Sequence, residues 1–198
     1  MEASPFPLSS RAQPRDLRFY RPFVDMFLSS QTPRFSLKYP GTDVEYEQMP
    51  AEKRLTELGL TLPEPPAPGG NYVSAKTVGN LVYLSGVIST DATGIITGTA
   101  GADRTITDGY AAARACALTQ LAVLTRALGS LDKVREVISV NGYVNAIAGF
   151  PDSPAIINGA SDLLVAVFED QGRHVRAAVG VSALPRNALV ELQMVVTI

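Results

Sequence analysis

The distribution of apolar and polar positions along the chain changes near residue 50. Residues 1–50 are rich in proline, serine, arginine and aromatic residues, and the aromatic positions between residues 16 and 29 recur at roughly helical spacing. This pattern favours a short amphipathic helix over 16–29, followed by an extended arm punctuated by prolines. We therefore divide the chain into an N-terminal extension over residues 1–50, expected to dock on the body or on a neighbouring subunit, and one domain over residues 51–198.

Residues 51–198 carry an alternation of strand and helix patterns. The predicted helices cover residues 50–60, 103–128 and 153–170, and the predicted strands form a hairpin around Gly79 and Asn80, a short strand over 94–98, a long strand over 134–146 and a closing hairpin over 176–194. Thr107 and Ser153 are the expected N-caps of the two long helices. The order ββ(β)αβαββ predicts a mixed sheet with two helices covering one of its faces.

Two charged residues interrupt the apolar closing hairpin. Strand alternation places Arg176 on the same face as Ala178 and opposite Val179. Glu191 alternates with an apolar set on the second strand, Val190, Leu192, Met194 and Val196. We expect the larger apolar side chains to face the helices, so that Arg176 and Glu191 lie together on the other face. A charge there needs a partner or a site, and a cross-strand ion pair is the structural alternative.

Composition narrows the classes of partner. The chain has 46% hydrophobic and 18% charged residues and a net charge of -2, which is typical of a soluble globular protein without a basic patch for nucleic acid or an anionic membrane. No uncharged apolar run reaches the roughly 18 residues that a membrane span needs. A single cysteine, Cys116, excludes an internal disulfide and is expected to be a small buried hydrophobe. We expect a cytoplasmic protein, and the arginines among serines in the first residues leave an organellar transit peptide as the alternative.

Three segments of the chain resemble the Rid (reactive intermediate deaminase) family, also called YjgF-type. They are NYVSAKTVGNLVYLSG at 71–86, GFPDSPAIINGASDLLVAVF at 149–168 and RAAVGVSALPRNALVEL at 176–192. The most specific feature is the spacing R-x(8)-P-x(5)-E, formed by Arg176, Pro185 and Glu191. The resemblance runs from about Leu55 to Ile198. It implies a chorismate-mutase-like α+β fold, a mixed sheet with two helices on one face, and a homotrimer with clefts between subunits.

The resemblance also implies roles for individual residues. Arg176 corresponds to the substrate-binding arginine, which grips a carboxylate through paired donors, and Glu191 to the carboxylate proposed to hold or activate water. Tyr72 and Ser85 correspond to residues that line the cleft, with Tyr72 counted among the catalytic candidates, and Asn158 to a polar cleft residue on the second long helix. The implied reaction is hydrolytic deamination of 2-imino or 2-enamino acids to 2-keto acids and ammonia. Its partner is a small carboxylate substrate, and we expect no cofactor.

The sequence departs from the family pattern at several places. Ala178 stands where the family often has cysteine, Gln193 replaces a second acidic residue, and the arm over 1–50 lies outside the resemblance. Two alternatives therefore stay open: a pathway-specific Rid-like enzyme that cyclises, tautomerises or dehydrates a larger intermediate, and a non-catalytic sensor of small carboxylates. Ribonuclease activity ranks third, because the chain lacks a basic patch.

Structural roles are the alternatives for the individual residues. Tyr72 is then an aromatic at the edge of the core, Ser85 a turn residue, and Asn158 a residue that hydrogen-bonds the backbone at a helix kink. His174, the one histidine, precedes Arg176 by two positions and is expected to point the same way, at the rim and without a role. Because the chain has no second cysteine and no histidine cluster, we expect no metal site.

Overall fold

The computed structural model describes residues 49–198, which belong to one compact unit. The amphipathic helix predicted over 16–29 and the arm after it lie outside the described residues. The helices are α1 (Ala51–Glu57), α2 (Ile106–Leu128) and α3 (Ser153–Phe168). The strands are β1 (Ala75–Val78), β2 (Leu81–Leu84), β3 (Val87–Ile88), β4 (Thr90–Asp91), β5 (Gly94–Ile95), β6 (Glu136–Asn145), β7 (Val175–Val181) and β8 (Val190–Thr197). Short 3₁₀ turns cover Leu131–Lys133, Glu169–Gly172 and Pro185–Asn187.

The main sheet is mixed, as the sequence predicted, with the order β1-β2-β8-β6-β7 and β3 paired on β8. Strand β7 runs parallel to β6, whereas β8 runs antiparallel to both β6 and β2. The predicted closing hairpin is therefore wrong, because β6 lies between β7 and β8. The crossover from β6 through α3 makes β7 parallel to β6 and leaves β7 at the edge of the sheet, and the segment after β7 carries the chain past β6 to its other side.

Both long helices cover one face of the sheet, in agreement with the prediction. Helix α2 packs on β8, and α3 packs on β6 and β7. The alternation predicted for β8 is confirmed, since one set of its side chains is fully buried under the helices, namely Val190, Leu192, Met194 and Val196. The helices also touch each other closely, because a Cβ on Gly159 of α3 would overlap the backbone carbonyl of Tyr110 on α2.

The long helices begin at different residues from those expected. The N-cap of α2 is Thr105 and not Thr107, because Thr105 and Asp108 form a reciprocal capping box. The Thr105 side chain accepts the backbone N–H of Asp108, while the Asp108 carboxylate accepts the backbone N–H of Thr105 at 2.9 Å. Ser153 is the first residue of α3 and Asp152 its N-cap, so the capping role predicted for Ser153 is also wrong.

The face of the sheet away from the helices is open and partly apolar. Four large apolar side chains on it are more than 40% exposed, namely Val78, Tyr83, Val175 and Val179. Cys116 is buried on α2, as predicted, and burial raises the pKa of its thiol far above the ordinary value. Within residues 49–198, no helix is long and apolar enough to cross a membrane.

Candidate active site

Arg176 and Glu191 lie on opposite faces of the sheet. Arg176 is the register partner of Val140, which in turn pairs with the buried Met194, so Arg176 lies on the helix-covered face. Glu191 pairs with Tyr143 on the open face. The prediction that both charges share the open face is therefore wrong.

The error arose from the interpretation of β7. The prediction assumed that the valines of this strand face the helices and that its small residues face away. In the structure Ala178 and Gly180 face α3, because the helix packs closely on the edge strand, and Val179 lies on the open face with 46% of its surface exposed. Small residues therefore mark the covered side of β7, where a helix needs room.

The two charged groups are also far apart along the sheet. Glu191 aligns through Tyr143 with Val179, so Arg176 is two strands and three residues away from it. From the strand spacing and the rise per residue, the two backbone positions are about 10 Å apart across the strands and about 10 Å apart along them. The side chains diverge further, because they point to opposite faces. One small substrate therefore cannot contact Arg176 and Glu191 of the same chain.

Helix α3 holds the Arg176 guanidinium. Its Nη1 donates to Asn158 Oδ1 at 2.8 Å and to Ser161 Oγ at 3.0 Å, and its Nη2 donates to the Pro154 carbonyl at 3.4 Å. These bonds use both Nη1 hydrogens and one Nη2 hydrogen, and among the described residues no acceptor is recorded for the Nε–H. The Nε–H and the second Nη2–H remain as a pair of parallel donors, the arrangement that binds a carboxylate side-on. Arg176 is thus oriented by the protein while one edge stays available.

His174 immediately precedes β7, and its side chain points to the same helix-covered face as Arg176. Its Nε2 is 3.0 Å from Ser161 Oγ, and its Nδ1 is 2.6 Å from the Gly172 carbonyl. Burial lowers the pKa of His174, and the nearby charge of Arg176 lowers it further, against the opposing effect of the Gly172 hydrogen bond. His174 is half-buried and hydrogen-bonded on both ring nitrogens, whereas the sequence predicted a rim residue without a role.

Glu191 lies on the open face against a glycine. A Cβ on Gly86 would overlap the Glu191 carboxylate, so only glycine leaves the carboxylate this position. Partial burial raises the pKa of Glu191 above its ordinary value. Among the hydrogen bonds and ion pairs of the described residues, none involves its side chain. The carboxylate is therefore half-buried and available to a partner or a substrate.

Ser85 and Tyr72 belong to the Glu191 side of the molecule. Ser85 precedes Gly86, and its hydroxyl donates to the Val73 carbonyl at 2.7 Å. Tyr72 is the neighbour of Val73, is 51% exposed, and accepts the Gly69 N–H at its hydroxyl at 3.1 Å. We name Glu191, Gly86 and Ser85 the Glu191 group, and Arg176, Asn158, Ser161 and His174 the Arg176 group. Of the predicted site residues, Glu191 and Ser85 thus belong to the first group and Arg176 and Asn158 to the second. Tyr72, whose hydroxyl bonds the Gly69 N–H, has no recorded contact with either group among the described residues.

Two residues that support these groups were missed in the sequence. Gln120 of α2 is fully buried, and its Nε2 donates to the Ser85 carbonyl at 2.9 Å and to the Leu192 carbonyl at 2.7 Å. It therefore ties the connection between β2 and β3 to β8 beside Glu191. A polar amide within an apolar, alanine-rich helix was the available signal. For Ser161, the signal was its position three residues after Asn158, which places both on one face of α3.

Comparison with known proteins places the domain in context. A family model described as YjgF/chorismate mutase-like matches residues 52–197, and its description also carries the word endoribonuclease. Protein TCP17 of Trypanosoma cruzi is 45% identical over 144 residues, which are 72% of this chain and 90% of that protein. The 2-iminobutanoate/2-iminopropanoate deaminase of Dermatophagoides farinae is 30% identical over 139 residues, which are 70% of this chain and 94% of that enzyme.

A solved structure supports the same assignment of the fold. The crystal structure of the protein Atu1372 from Agrobacterium tumefaciens, a protein of unknown function, superposes with a TM-score of 0.69 at 43% sequence identity. The match covers 75% of this chain and 92% of that protein. The similarity therefore extends over nearly the whole length of these relatives and over the domain that carries both groups of site residues.

Proposed function

Because this chain belongs to the YjgF/chorismate mutase-like family, the Rid family that its sequence resembled, we propose that it hydrolyses 2-imino or 2-enamino acids to 2-keto acids and ammonia. The observation that carries the proposal is the Arg176 guanidinium, which α3 orients while a carboxylate-binding edge stays free. The relative from Dermatophagoides farinae, named a deaminase of two short 2-imino acids, supports the substrate class.

The active site in this proposal is built from different copies of the chain. Since Arg176 and Glu191 of one chain diverge, they act on one substrate only when one copy supplies the arginine and another the carboxylate. Strand β7 lies at the edge of the sheet, and Val175 and Val179 on its open face are 71% and 46% exposed. An apolar edge of this kind is suited to association with another copy. We take the assembly to be a homotrimer, as the family resemblance implies.

The proposed reaction needs only side-chain chemistry. The substrate carboxylate binds the Nε and Nη2 edge of Arg176, and an enamine first tautomerises to the imine. Glu191 of another copy accepts a proton from water as the water oxygen bonds to the imine carbon. Glu191 returns that proton to the nitrogen, which gives a carbinolamine. It then takes the hydroxyl proton as the C=O bond forms and passes it to the departing nitrogen, so that the carbon–nitrogen bond breaks and ammonia leaves with the 2-keto acid as the other product. The raised pKa of Glu191 suits a group that must both take and return a proton near neutral pH.

The remaining predicted residues complete the proposed cleft. Ser85 and Tyr72 lie on the Glu191 side and are proposed to line it, with Tyr72 also a candidate for proton transfer. Asn158 is proposed to contact substrate beside Arg176, in addition to holding the guanidinium. A charged arginine brought near Glu191 by association opposes the effect of burial on the pKa of that carboxylate.

An imine-hydrolysis assay tests this function. An amino-acid oxidase or a dehydratase generates the imine in situ, and the release of ammonia and keto acid is measured with wild type, Arg176→Lys and Glu191→Gln. Wild type is expected to accelerate release, and both variants are expected to lose the acceleration. Arg135→Lys and Glu57→Gln, at exposed positions outside both groups, are matched controls that retain it.

Other outcomes of the same assay contradict the proposal. Binding of 2-keto acids by wild type without turnover would favour the non-catalytic carboxylate sensor. Weak turnover that Glu191→Gln leaves unchanged would favour the pathway-specific enzyme acting on a larger intermediate.

A further inference from the structure

Arg176 is connected to the one histidine of the chain through Ser161. The Arg176 Nη1 is 3.0 Å from Ser161 Oγ, and the same oxygen is 3.0 Å from His174 Nε2. We propose that Ser161 and His174 are positioning residues for Arg176, and that His174 does this work as a neutral imidazole protonated at Nδ1. The inference rests on the proposed function, since it concerns how the carboxylate-binding arginine is oriented.

The hydrogen-bond partners allow one assignment of donors and acceptors from Arg176 through Ser161 and His174 to Gly172. A backbone carbonyl only accepts, so the 2.6 Å contact with Gly172 requires the proton of His174 to be on Nδ1. In the neutral ring Nε2 then carries a lone pair and accepts the Ser161 hydroxyl proton. A lone pair of Ser161 Oγ is left to accept the Arg176 Nη1–H. Arginine therefore donates to serine, serine to histidine, and histidine to the Gly172 carbonyl.

A proton on Nε2 would break this order. Ser161 Oγ would then accept from two cations at once, and its own hydroxyl proton would lose its acceptor. The low pKa of His174 keeps the ring neutral at neutral pH. Arg176 is the charged group on β7 that lowers the pKa of the His174 ring. The other charged groups on the elements around the ring have different surroundings. On the adjoining turn, Asp170 is paired with Arg173 at 3.2 Å and Glu169 is exposed. On α3, Asp162 accepts the Tyr110 hydroxyl at 2.8 Å, and on β6, Glu136 is exposed.

This arrangement has a direct consequence for substrate binding. Arg176 is an exposed residue on an edge strand, where a long side chain would otherwise sample many rotamers. Holding Nη1 on Ser161 and Asn158 restricts the side-chain rotamers and leaves the Nε–H without a recorded acceptor among the described residues. The conformational cost of ordering the arginine is thus met before the carboxylate arrives, which favours binding. The effect belongs to substrate affinity, because the reacting carbon and Glu191 are not touched by Ser161 or His174.

Kinetics of three variants test the proposal. Ser161→Ala removes the acceptor of the Arg176 Nη1–H, and His174→Phe frees the Ser161 hydroxyl proton to turn toward that N–H and displace it. In both variants the KM for a carboxylate-bearing imine is expected to rise roughly tenfold with kcat within about twofold, the size of one lost charge-assisted hydrogen bond. His174→Gln is the matched control, because its Oε1 can accept the Ser161 hydroxyl, and KM is expected to return to within about threefold of wild type. A general loss of folding would lower the active fraction and kcat in all three variants alike.

Binding and NMR separate failure of this inference from failure of the function. If full-length wild type neither turns over imines nor binds 2-oxobutanoate by calorimetry, the proposed function fails and the positioning role fails with it. If wild type does both and His174→Phe has an unchanged KM, the positioning role alone is wrong. The one histidine of the untagged chain gives a single imidazole spin system. Its ¹⁵N shifts must report the Nδ1–H tautomer at pH 7.5, and an Nε2–H tautomer would overturn the inference.

Discussion

The Arg176 guanidinium donates a hydrogen bond of 2.8 Å to the side-chain carbonyl of Asn158 on α3. This contact turns the arginine toward the helix layer, whereas Glu191 projects from β8 toward the open face beside Gly86. The two charged side chains thus leave the same sheet in opposite directions. Under the proposed function, each copy of the chain supplies one half of a site that is completed by another copy.

Subunit complementation follows from this arrangement. Co-expressed Arg176→Ala and Glu191→Gln chains are each expected to be inactive alone, but a mixed trimer contains one interface with both native groups. Random mixing in equal amounts then restores about a quarter of wild-type activity, since three quarters of trimers are mixed and one of three sites in each is intact. Imine hydrolysis measured on the purified mixture checks this. If both groups acted from one chain, mixing would restore nothing.

Glu191 is expected to reduce stability at alkaline pH. Its pKa is raised in the folded chain, so the folded state binds more protons than the unfolded state between the ordinary value and the raised one. The stability it contributes is full below the ordinary pKa and is lost as pH rises through the folded value. Glu191→Gln should therefore raise the urea midpoint of unfolding at pH 8 and change it little at pH 4.5, with Glu57→Gln as the exposed control. An equal effect at both pH values would contradict the burial of this carboxylate.

The pKa of His174 is expected to depend on Arg176. Desolvation and the Arg176 charge both lower it, so Arg176→Ala should raise the pKa measured by NMR titration of the single imidazole, while Arg135→Ala should leave it unchanged. Because the folded pKa is depressed, the unfolded chain takes up the proton first and stability falls as pH drops below about 6.5 toward the folded value. His174→Gln should flatten that fall. An Arg176→Ala pKa equal to that of wild type would show that the two groups are not neighbours.

Gln120 is expected to be a structural support of the Glu191 group. Gln120→Met keeps the length of the side chain but leaves the Ser85 and Leu192 carbonyls without their donor in a buried site. The free energy of unfolding should fall by about 2 kcal/mol, the typical cost of buried acceptors left unsatisfied. Gln171→Met, at a less buried position on the 3₁₀ turn after α3, is the control for the substitution itself. A stability loss no larger than that of the control would show that these bonds contribute little.

Local patterns predicted much of the fold. The hairpin at Gly79 is present, with positive φ at the glycine, because a tight reversal between two apolar runs leaves few other solutions. The alternation along β8 correctly separated the buried residues from Glu191, since this strand is central and its helix-covered face must be apolar. Helix starts were displaced because several Ser, Thr and Asp residues compete as caps, and the choice of Thr105 depends on its reciprocal bonds with Asp108.

The candidate site was less accessible to sequence analysis. The resemblance pointed to Arg176 and Glu191, but Ser161 and Gln120 act through contacts across 15 and 35 residues of sequence. Their importance comes from groups that reach them only when α3 packs on β7 and α2 packs on β8. Sequence spacing does not report contacts of this kind.

The sequence by itself determined the two long helices, most of the strands, the family and the set of side chains that share a face on each predicted strand. Only the tertiary structure decided which face of β7 is covered, and therefore where Arg176 points. The physical reason is that alternation separates the side chains of a strand into two sets but does not show which set faces the helices. On a central strand the more apolar set identifies the helix-covered side. On the edge strand β7 the covered side carries the small Ala178 and Gly180, which leave space for the helix, while valines lie on the open side.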